Sequence, residues 1–283
     1  MSIKKKEKTE LSVQDLARLQ DIFFKKKWPV QDEFENSVFE NFCGLLAGLK
    51  AHQRELIFTL TENFLWIREF DYIRHFSNAF DLFISGFPFN RNTSIIICPL
   101  LPEKDFGKSK SSIMLLYLIK ANIASLRAKY PLYRIDFCDS PPQFNCARAK
   151  ATTVLCLIDD FIGSGDTAAD AVDYFLQRHY PLSQIVVLSL VTMEKGLAEL
   201  RKKGYHTYAS IVETAGITGR GRDELVETKT MEEIETAIRV PPEFRFGYAR
   251  SQALVKMIRT PNNTFPIYWR TKGNLNLYAP FPR

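Results

Sequence analysis

Apolar residues recur at helical spacing through the first third of the chain. Leu11–Lys27 places Leu16, Leu19, Ile22 and Phe23 on one side of a helix. Pro29 ends it, because proline disfavours helix in the residue before it. The same spacing predicts helices over Phe34–Leu49, Gln53–Trp66 and Phe70–Phe83, with Trp66, Phe70 and Tyr72 in the core of this helical module. At Ser85-Gly86-Phe87-Pro88 the pattern changes. Short, continuously apolar runs predict strands at Ser94–Pro99, Tyr133–Cys138, Val154–Ile158, Ile185–Val191 and Tyr205–Val212. Helical stretches separate them: Ile113–Lys129, a helix from about Ala168 to Gln177, and Glu194–Lys203. Apolar strands alternating with helices predict an α/β fold, a parallel sheet covered on both faces. After Gly216 the alternation stops. A turn at Gly219-Arg220-Gly221-Arg222 and a charged helix over Glu224–Arg239 follow, and Pro241-Pro242 stops that helix. The expected organisation is a helical module over 1–88, a sheet core over 89–215 and a C-terminal extension over 216–283.

Ligands of such sheets bind at the carboxyl ends of strands, so the loops there matter most. Val154–Asp160 is an apolar strand running into two adjacent carboxylates, and charges cannot continue into a dry core. Phe161-Ile162-Gly163-Ser164-Gly165-Asp166-Thr167 follows. Gly163 and Gly165 permit a tight turn and close backbone approach to a ligand. Thr167-Ala168-Ala169-Asp170 reads as a capping box opening a helix, and a helix N-terminus beside small hydroxylated residues is an anion site. One element thus offers donors for a phosphate and carboxylates for sugar hydroxyls.

The run V-L-C-L-I-D-D-F-I-G-S-G-D-T resembles the phosphoribosyl pyrophosphate (PRPP) motif of type I phosphoribosyltransferases: apolar strand, two acids, a short apolar step, then Ser/Thr-Gly-x-Thr. The resemblance implies a type I phosphoribosyltransferase-like core. Asp159 and Asp160 would hold the ribose hydroxyls and Gly163, Ser164, Gly165, Asp166 and Thr167 would cradle the 5′-phosphate. The loop after the first strand would bind pyrophosphate through Gly107, Lys108 and Ser109. Ser140–Lys150 would occupy the place of the mobile loop, with Arg148 and Lys150 reaching pyrophosphate. Mg2+ would come with PRPP and touch Asp159 and Asp160 indirectly. Asp159, Asp160 and Lys108 would be the catalytic set. Many relatives carry glycine where Asp166 stands: either its carboxylate faces outward or helps cap the helix, or PRPP binding is weakened. G-K-S, D-D-F-I-G-S-G-D-T and the late T-P-N-N-T-F-P-I-Y-W together resemble the PRTase-CE group, phosphoribosyltransferase-like proteins with a C-terminal extension, mostly bacterial and placed in anti-phage or other conflict systems. That implies a defence effector with protein partners, or a non-catalytic sensor of a nucleotide or ribose phosphate.

A P-loop NTPase is the competing reading. Pro102 to Ser109 matches G-x-x-x-x-G-K-[ST] except at its first position, with Asp159 at the end of a Walker B-like strand. Against it, proline fixes φ where the nucleotide loop needs glycine, and the Ser-Gly-x-Thr stays unexplained.

Other residues have plainer readings. Pro261-Asn262-Asn263 is a turn, with a loop folding over the site as the alternative. Tyr248, Tyr268 and Trp269 anchor the terminal segment or stack on a base. Arg220 and Arg222 sit in a solvated turn, with phosphate or nucleic-acid binding as the alternative.

Composition narrows this little. The chain has 283 residues, 46% of them hydrophobic, ample for a core. Its net charge of +6 fits a phosphorylated ligand or a nucleic-acid surface, but Lys4, Lys5, Lys6 and Lys8 supply part of it from an N-terminal tail expected to lack structure, so nucleic acid is not indicated. The five cysteines include no CxxC and none pairs with histidine at ligand spacing, which argues against zinc. Cys98 and Cys156 lie in apolar strands as small hydrophobes. An odd cysteine count and the lack of an apolar leader lead to the expectation of a reducing cytoplasm, and the apolar runs are too short to span a membrane.

Overall fold

The computed structural model describes residues 11–30, 37–89, 93–271 and 279–283. The lysines of the N-terminal tail and the first residues of the helix expected from Phe34 lie outside these. In chain order the main elements begin with α1 (Val13–Lys26), α2 (Val38–Ala47), α3 (Ala51–Glu62), β1 (Leu65–Trp66) and α4 (Tyr72–Gly86). Next come β2 (Ser94–Pro99), α5 (Ser111–Ala121), α6 (Ile123–Lys129), β3 (Arg134–Phe137) and β4 (Thr153–Ile162). Then follow α7 (Asp166–Leu176), β5 (Ile185–Met193), α8 (Glu194–Lys202), β6 (His206–Glu213), α9 (Glu224–Ala237) and β7 (Val255–Lys256). The helix expected over Ile113–Lys129 is two, broken at Asn122. None of the described helices is long and apolar enough to cross a membrane.

Two compact units form, and they cut across the three expected segments. One comprises Met1–Trp66 with Ala215–Arg283, so the N-terminal helices and the C-terminal extension share a unit; the other is Ile67–Thr214. In the first unit, α1 begins at Ser12, whose side chain accepts the Asp15 N–H, and ends with Lys27 left-handed at φ 55. Its Leu19, Ile22 and Phe23 are buried, whereas Leu16, one turn nearer the start of the helix, keeps 37% exposure. The core is aromatic: Trp28, Phe42, Phe64, Tyr268 and Phe281 form one connected cluster of rings, with Phe64 and Phe281 stacked at 5.0 Å. Tyr268 is therefore an anchor, its hydroxyl 3.1 Å from Thr61 Oγ1. Trp269 Nε1 donates to Thr264 O at 2.7 Å. Asn263 makes a structural turn, donating to Ser251 Oγ at 2.6 Å. The arginines of 219–222 are not simply solvated: Arg220 Nε donates to Ala215 O at 2.9 Å and Arg222 is paired with Glu227 at 2.6 Å.

The second unit is built on an all-parallel sheet in the order β3-β2-β4-β5-β6. β5 is buried along its whole length, which is why its sequence is apolar without alternation. The crossover order reverses between β2 and β4, the point of such a sheet at whose strand carboxyl ends ligands commonly bind. α4 belongs to this unit, contrary to the expectation of a helical module reaching residue 88. Phe76, Phe80 and Phe83 are buried on it. Phe70, expected in a core, is 65% exposed, with the Arg68 guanidinium 4.3 Å above its ring.

Candidate functional site at the carboxyl ends of β2 and β4

β4 runs four residues beyond the expected end at Ile158. Pro99 pairs with Ile158 as the last register of β2, while Asp159, Phe161 and Ile162 continue to pair with Ser189, Val191 and Thr192 of β5. The two acids therefore sit inside the strand, at the point where β2 has left it. Asp159 Oδ1 accepts from the Asp160 N–H at 2.9 Å and from Ser111 Oγ at 3.3 Å. Ser111 opens α5, so this bond joins the strand acid to the end of the loop after β2. Burial, and next the charge of Asp160 beside it, push the Asp159 carboxyl well above the usual carboxylate range, although the Asp160 N–H works the other way.

Asp160 is only 4% exposed, and its Oδ2 accepts from Tyr72 Oη at 2.9 Å. Tyr72, itself fully buried, is the first residue of α4 and had been expected in a separate helical core. A buried carboxylate without a donor is costly, and a hydrogen bond to a charged group contributes about 1.5–3 kcal/mol. Tyr72→Phe is expected to lower stability by about 2 kcal/mol at pH 8, read by urea unfolding; an unchanged midpoint would show that Asp160 has no need of this donor.

After Ile162 the chain turns through Gly163, Ser164 and Gly165. Gly165, at φ +91, is the N-cap of α7, which starts at Asp166. The expected capping box at Thr167 is not formed, because the glycine turn closes two residues earlier and puts Thr167 already inside the helix. First-turn N–H groups of a helix lack intrahelical acceptors and face outward with a positive dipole, so the anion-site geometry is present from Asp166 onward. Asp166 and Thr167 are exposed, whereas Gly163 and Gly165 are buried. Asp166 does not cap the helix; its Oδ2 takes the Ser164 hydroxyl at 2.7 Å. One donor of the expected phosphate cradle is thus engaged by the acid that stands where glycine was expected.

The close packing beneath this turn comes from α8. A Cβ on Gly196 would lie 2.2 Å from Gly163 O, and a Cβ on Gly165 would lie 3.2 Å from Gly196 O. Nothing in the helical pattern of Glu194–Lys203 distinguishes Gly196, so sequence reasoning missed it.

The loop after β2 is fastened to α7 and the residues just after it by three contacts. Lys104 Nζ donates to Asp170 Oδ2 at 2.6 Å, Phe106 meets Tyr174 edge-on at 5.0 Å, and Glu103 lies 3.7 Å from Arg178. Within the loop, Lys108 and Lys110 both reach Asp105, at 2.9 and 2.8 Å. Partial burial works against the Asp105 charge, yet hydrogen bonds from Lys110 and Lys108 hold its carboxyl below the ordinary range. Lys108 keeps 59% exposure while paired with Asp105. The helix begins only at Ser111, after an extended Lys110 at φ −132. A P-loop lysine and serine open their helix directly; here Lys108 and Ser109 precede it in a turn, which sets the NTPase reading aside.

A cleft of about 440 Å³ is lined by Leu101, Phe106, Gly107, Lys108, Ser109, Ile113, Ser140 and Pro142. It joins the loop after β2 to the segment after β3. That segment is folded into two short 3-10 turns, Pro141–Gln143 and Cys146–Arg148. Phe144 fastens it, packing on Tyr180 at 5.1 Å and Phe175 at 5.9 Å. Arg148 and Lys150 are exposed on it. The structure therefore brings Asp159, Asp160 and the turn from Gly163 to Thr167 together on one strand–helix connection, links Asp159 to the loop of Lys108 through Ser111, and places Arg148 and Lys150 on a separate segment. Among the described residues no three His, Cys, Asp or Glu side chains gather as a metal-ligand set.

No curated protein matches the chain in sequence. Among solved structures, the chain is similar to orotate phosphoribosyltransferase from Aeropyrum pernix, at 13% identity, TM-score 0.30, covering 51% of this chain and 72% of that one. A protein from Aquifex aeolicus shows 9% identity and TM-score 0.30, covering 72% and 86%. Hypoxanthine phosphoribosyl transferase from Trypanosoma cruzi shows 10% identity and TM-score 0.25, covering 57% and 75%. Residues 73–283, well over half of the chain and including all five strands of the parallel sheet and both loops of the site, match PRTase-CE, and the chain belongs to that phosphoribosyltransferase-like family.

Proposed function

We propose that this protein binds PRPP, or a related ribose phosphate, at the carboxyl ends of β2 and β4. The observation that carries the reading is the join made by Ser111 and Asp159: a strand acid suited to a sugar hydroxyl is tied to the start of α5, directly after a loop carrying a lysine, while the same strand leads into a helix N-terminus suited to phosphate. Asp159 and Asp160 would accept from the ribose hydroxyls. The N–H groups from Gly163 to Thr167 would hold the 5′-phosphate, and Gly107, Lys108 and Ser109 the pyrophosphate. Arg148 and Lys150 would approach the pyrophosphate from the segment after β3. The donor set suits Mg2+ carried by the ligand: two carboxylates already bonded to Tyr72 and Ser111 can reach a hydrated ion through water. When bound, Mg2+ would neutralise charge on the leaving pyrophosphate. Lys108, released from Asp105, would add a second positive charge to that group, and cleavage or transfer at the anomeric carbon would rest on this electrostatic placement.

A second reading is a sensor that binds the ligand without turnover and reports to protein partners. The Ser164–Asp166 bond favours it, since it occupies a phosphate donor and adds negative charge at the helix start. In either form, the biological role we propose is that of an effector in bacterial anti-phage defence.

Calorimetric titration with PRPP and Mg2+ tests the site. Binding is expected, and Asp159→Asn should weaken it at least roughly ten-fold, the loss of about 1.4 kcal/mol from one charged hydrogen bond. No heat with PRPP, or equal affinity in the variant, removes the reading. Release of pyrophosphate with any nucleobase separates the enzyme from the sensor.

A further inference from the structure

We infer that Cys98 and Cys138 form an oxidisable thiol pair, converted by hydrogen peroxide into a disulfide that ties together the bases of the two loops bordering the cleft. Ile97 of β2 stands opposite Phe137 of β3 in parallel register, so the next positions, Cys98 and Cys138, are neighbours. The Cys138 N–H confirms the step by donating to Ile97 O at 2.9 Å. Adjacent strands lie about 4.8 Å apart, within the span of Cα separations that a disulfide bridges. Both side chains lie in the same buried cluster, and the Cys138 thiol donates to Ser140 O at 3.1 Å.

The pair is also unequal in the way a nucleophile and its resolving partner are. Cys98 is fully buried, and burial pushes its thiol far up. Cys138 keeps 8% exposure. The hydrogen bond from Cys98 lowers its pKa against burial and against Asp139, and Lys120 assists. Burial raises the thiols of Cys43, Cys146 and Cys156 instead. Between neighbouring buried thiols, the one with the greater thiolate fraction reacts first.

The steps balance. The Cys138 thiolate attacks one peroxide oxygen, the O–O bond breaks, and water leaves with one proton taken up, giving a sulfenic acid. The Cys98 sulfur then attacks Cys138 Sγ, the S–S bond forms, the S–O bond breaks, and a second water leaves with the Cys98 proton. Two thiols lose two electrons and two protons, and the peroxide is reduced to two waters. Cys98 leads through Leu100 into Leu101 of the cleft wall, and Cys138 leads into Ser140 and Pro142 on its other side, so the bond would fix the spacing of the two walls. This chemistry is independent of the ligand proposed above.

The test is oxidation of the full chain with one equivalent of hydrogen peroxide, alkylation of the remaining thiols, and peptide mapping. A Cys98–Cys138 linked peptide, released by dithiothreitol, is expected, with Cys43, Cys146 and Cys156 recovered alkylated. In Cys98→Ala, Cys138 should stop at the sulfenic acid and be trapped by dimedone. Should that variant not fold, iodoacetamide labelling of the reduced wild-type chain decides: Cys138 must label ahead of Cys146, although Cys146 is more exposed. Linkage through other cysteines, or earlier reaction at Cys146 or Cys43, overturns the assignment.

Discussion

Gly196→Ala is expected to destabilise the protein by about 2–3 kcal/mol, the range of an overpacked core site, and to remove the proposed PRPP binding with it. Helix propensity alone predicts the opposite sign, since alanine inside a helix is favoured over glycine by about 1 kcal/mol. The contact decides otherwise. The added methyl would lie 2.2 Å from Gly163 O, 3.1 Å from Gly163 C and 3.3 Å from Gly165 N. These are backbone atoms of the turn ahead of α7, with no side chain to rotate away. Relief requires either α8 to lift from the sheet, where Leu197 and Leu200 are buried, or the turn to move. The second outcome shifts the N–H groups that would receive the 5′-phosphate, so affinity falls even where the chain stays folded. Thermal unfolding with PRPP titration checks both parts; a variant with wild-type midpoint and affinity would mean that this close approach is not made in solution.

The contrast between Gly196 and the acid motif shows what local sequence carries. The apolar run into Asp159 and Asp160 and the glycines after it announce strand, turn and helix together, because each residue type is demanded by its own backbone position. The alternation of strands and helices announces the parallel sheet for the same reason. Tyr72 gives no such sign. Its partner Asp160 is 88 positions away, and a tyrosine at helical spacing reads as ordinary core until the fold brings the two together. Gly196 is silent because its constraint comes from Gly163, on another element. The N-cap was misplaced because Thr167-Ala168-Ala169-Asp170 has the right residue types, yet Gly165 reaches a left-handed conformation first and starts the helix before Thr167. Likewise the boundary at residue 88 followed a change of pattern, whereas α4 is held to the sheet unit by the apolar face of Phe76, Phe80 and Phe83. Spacing along the chain identifies that face but not what it packs on.

The second large effect is a loss of stability with rising pH, carried by Glu235. This residue of α9 is fully buried; its Oε1 accepts the Phe246 N–H at 2.8 Å, and its Oε2 has no hydrogen-bond partner. Burial raises its carboxyl from 4.5 to about 7, with Arg245 and Arg250 opposing and Glu232 adding slightly. A group whose folded pKa lies above its unfolded value contributes stability that is full below the unfolded value and is lost as pH rises through the folded one. Wild-type protein should therefore lose about 3 kcal/mol between pH 4.5 and pH 8.5 from this residue, at about 1.36 kcal/mol per pKa unit. Glu235→Gln keeps an acceptor for Phe246 and cannot ionise, so over that window it should lose about 3 kcal/mol less than wild type and exceed it at pH 8.5. The bond it protects begins a segment held in left-handed conformations at Phe246, Gly247, Ala249, Arg250 and Gln252. Such a backbone persists only when its surroundings over-determine it. Here Asn263 O leaves no room for a Cβ on Gly247, at 1.9 Å, and Gln252 Oε1 receives the N–H groups of Ile217 and Thr218 at 3.1 and 3.0 Å. Ionisation of Glu235 strengthens its bond to Phe246 but leaves a charge in a dry core with one donor, and the desolvation cost is the larger. Urea unfolding of both proteins at pH 5 and pH 8.5 reads the difference directly: parallel behaviour of wild type and Glu235→Gln would place the carboxylate in contact with water and remove this dependence.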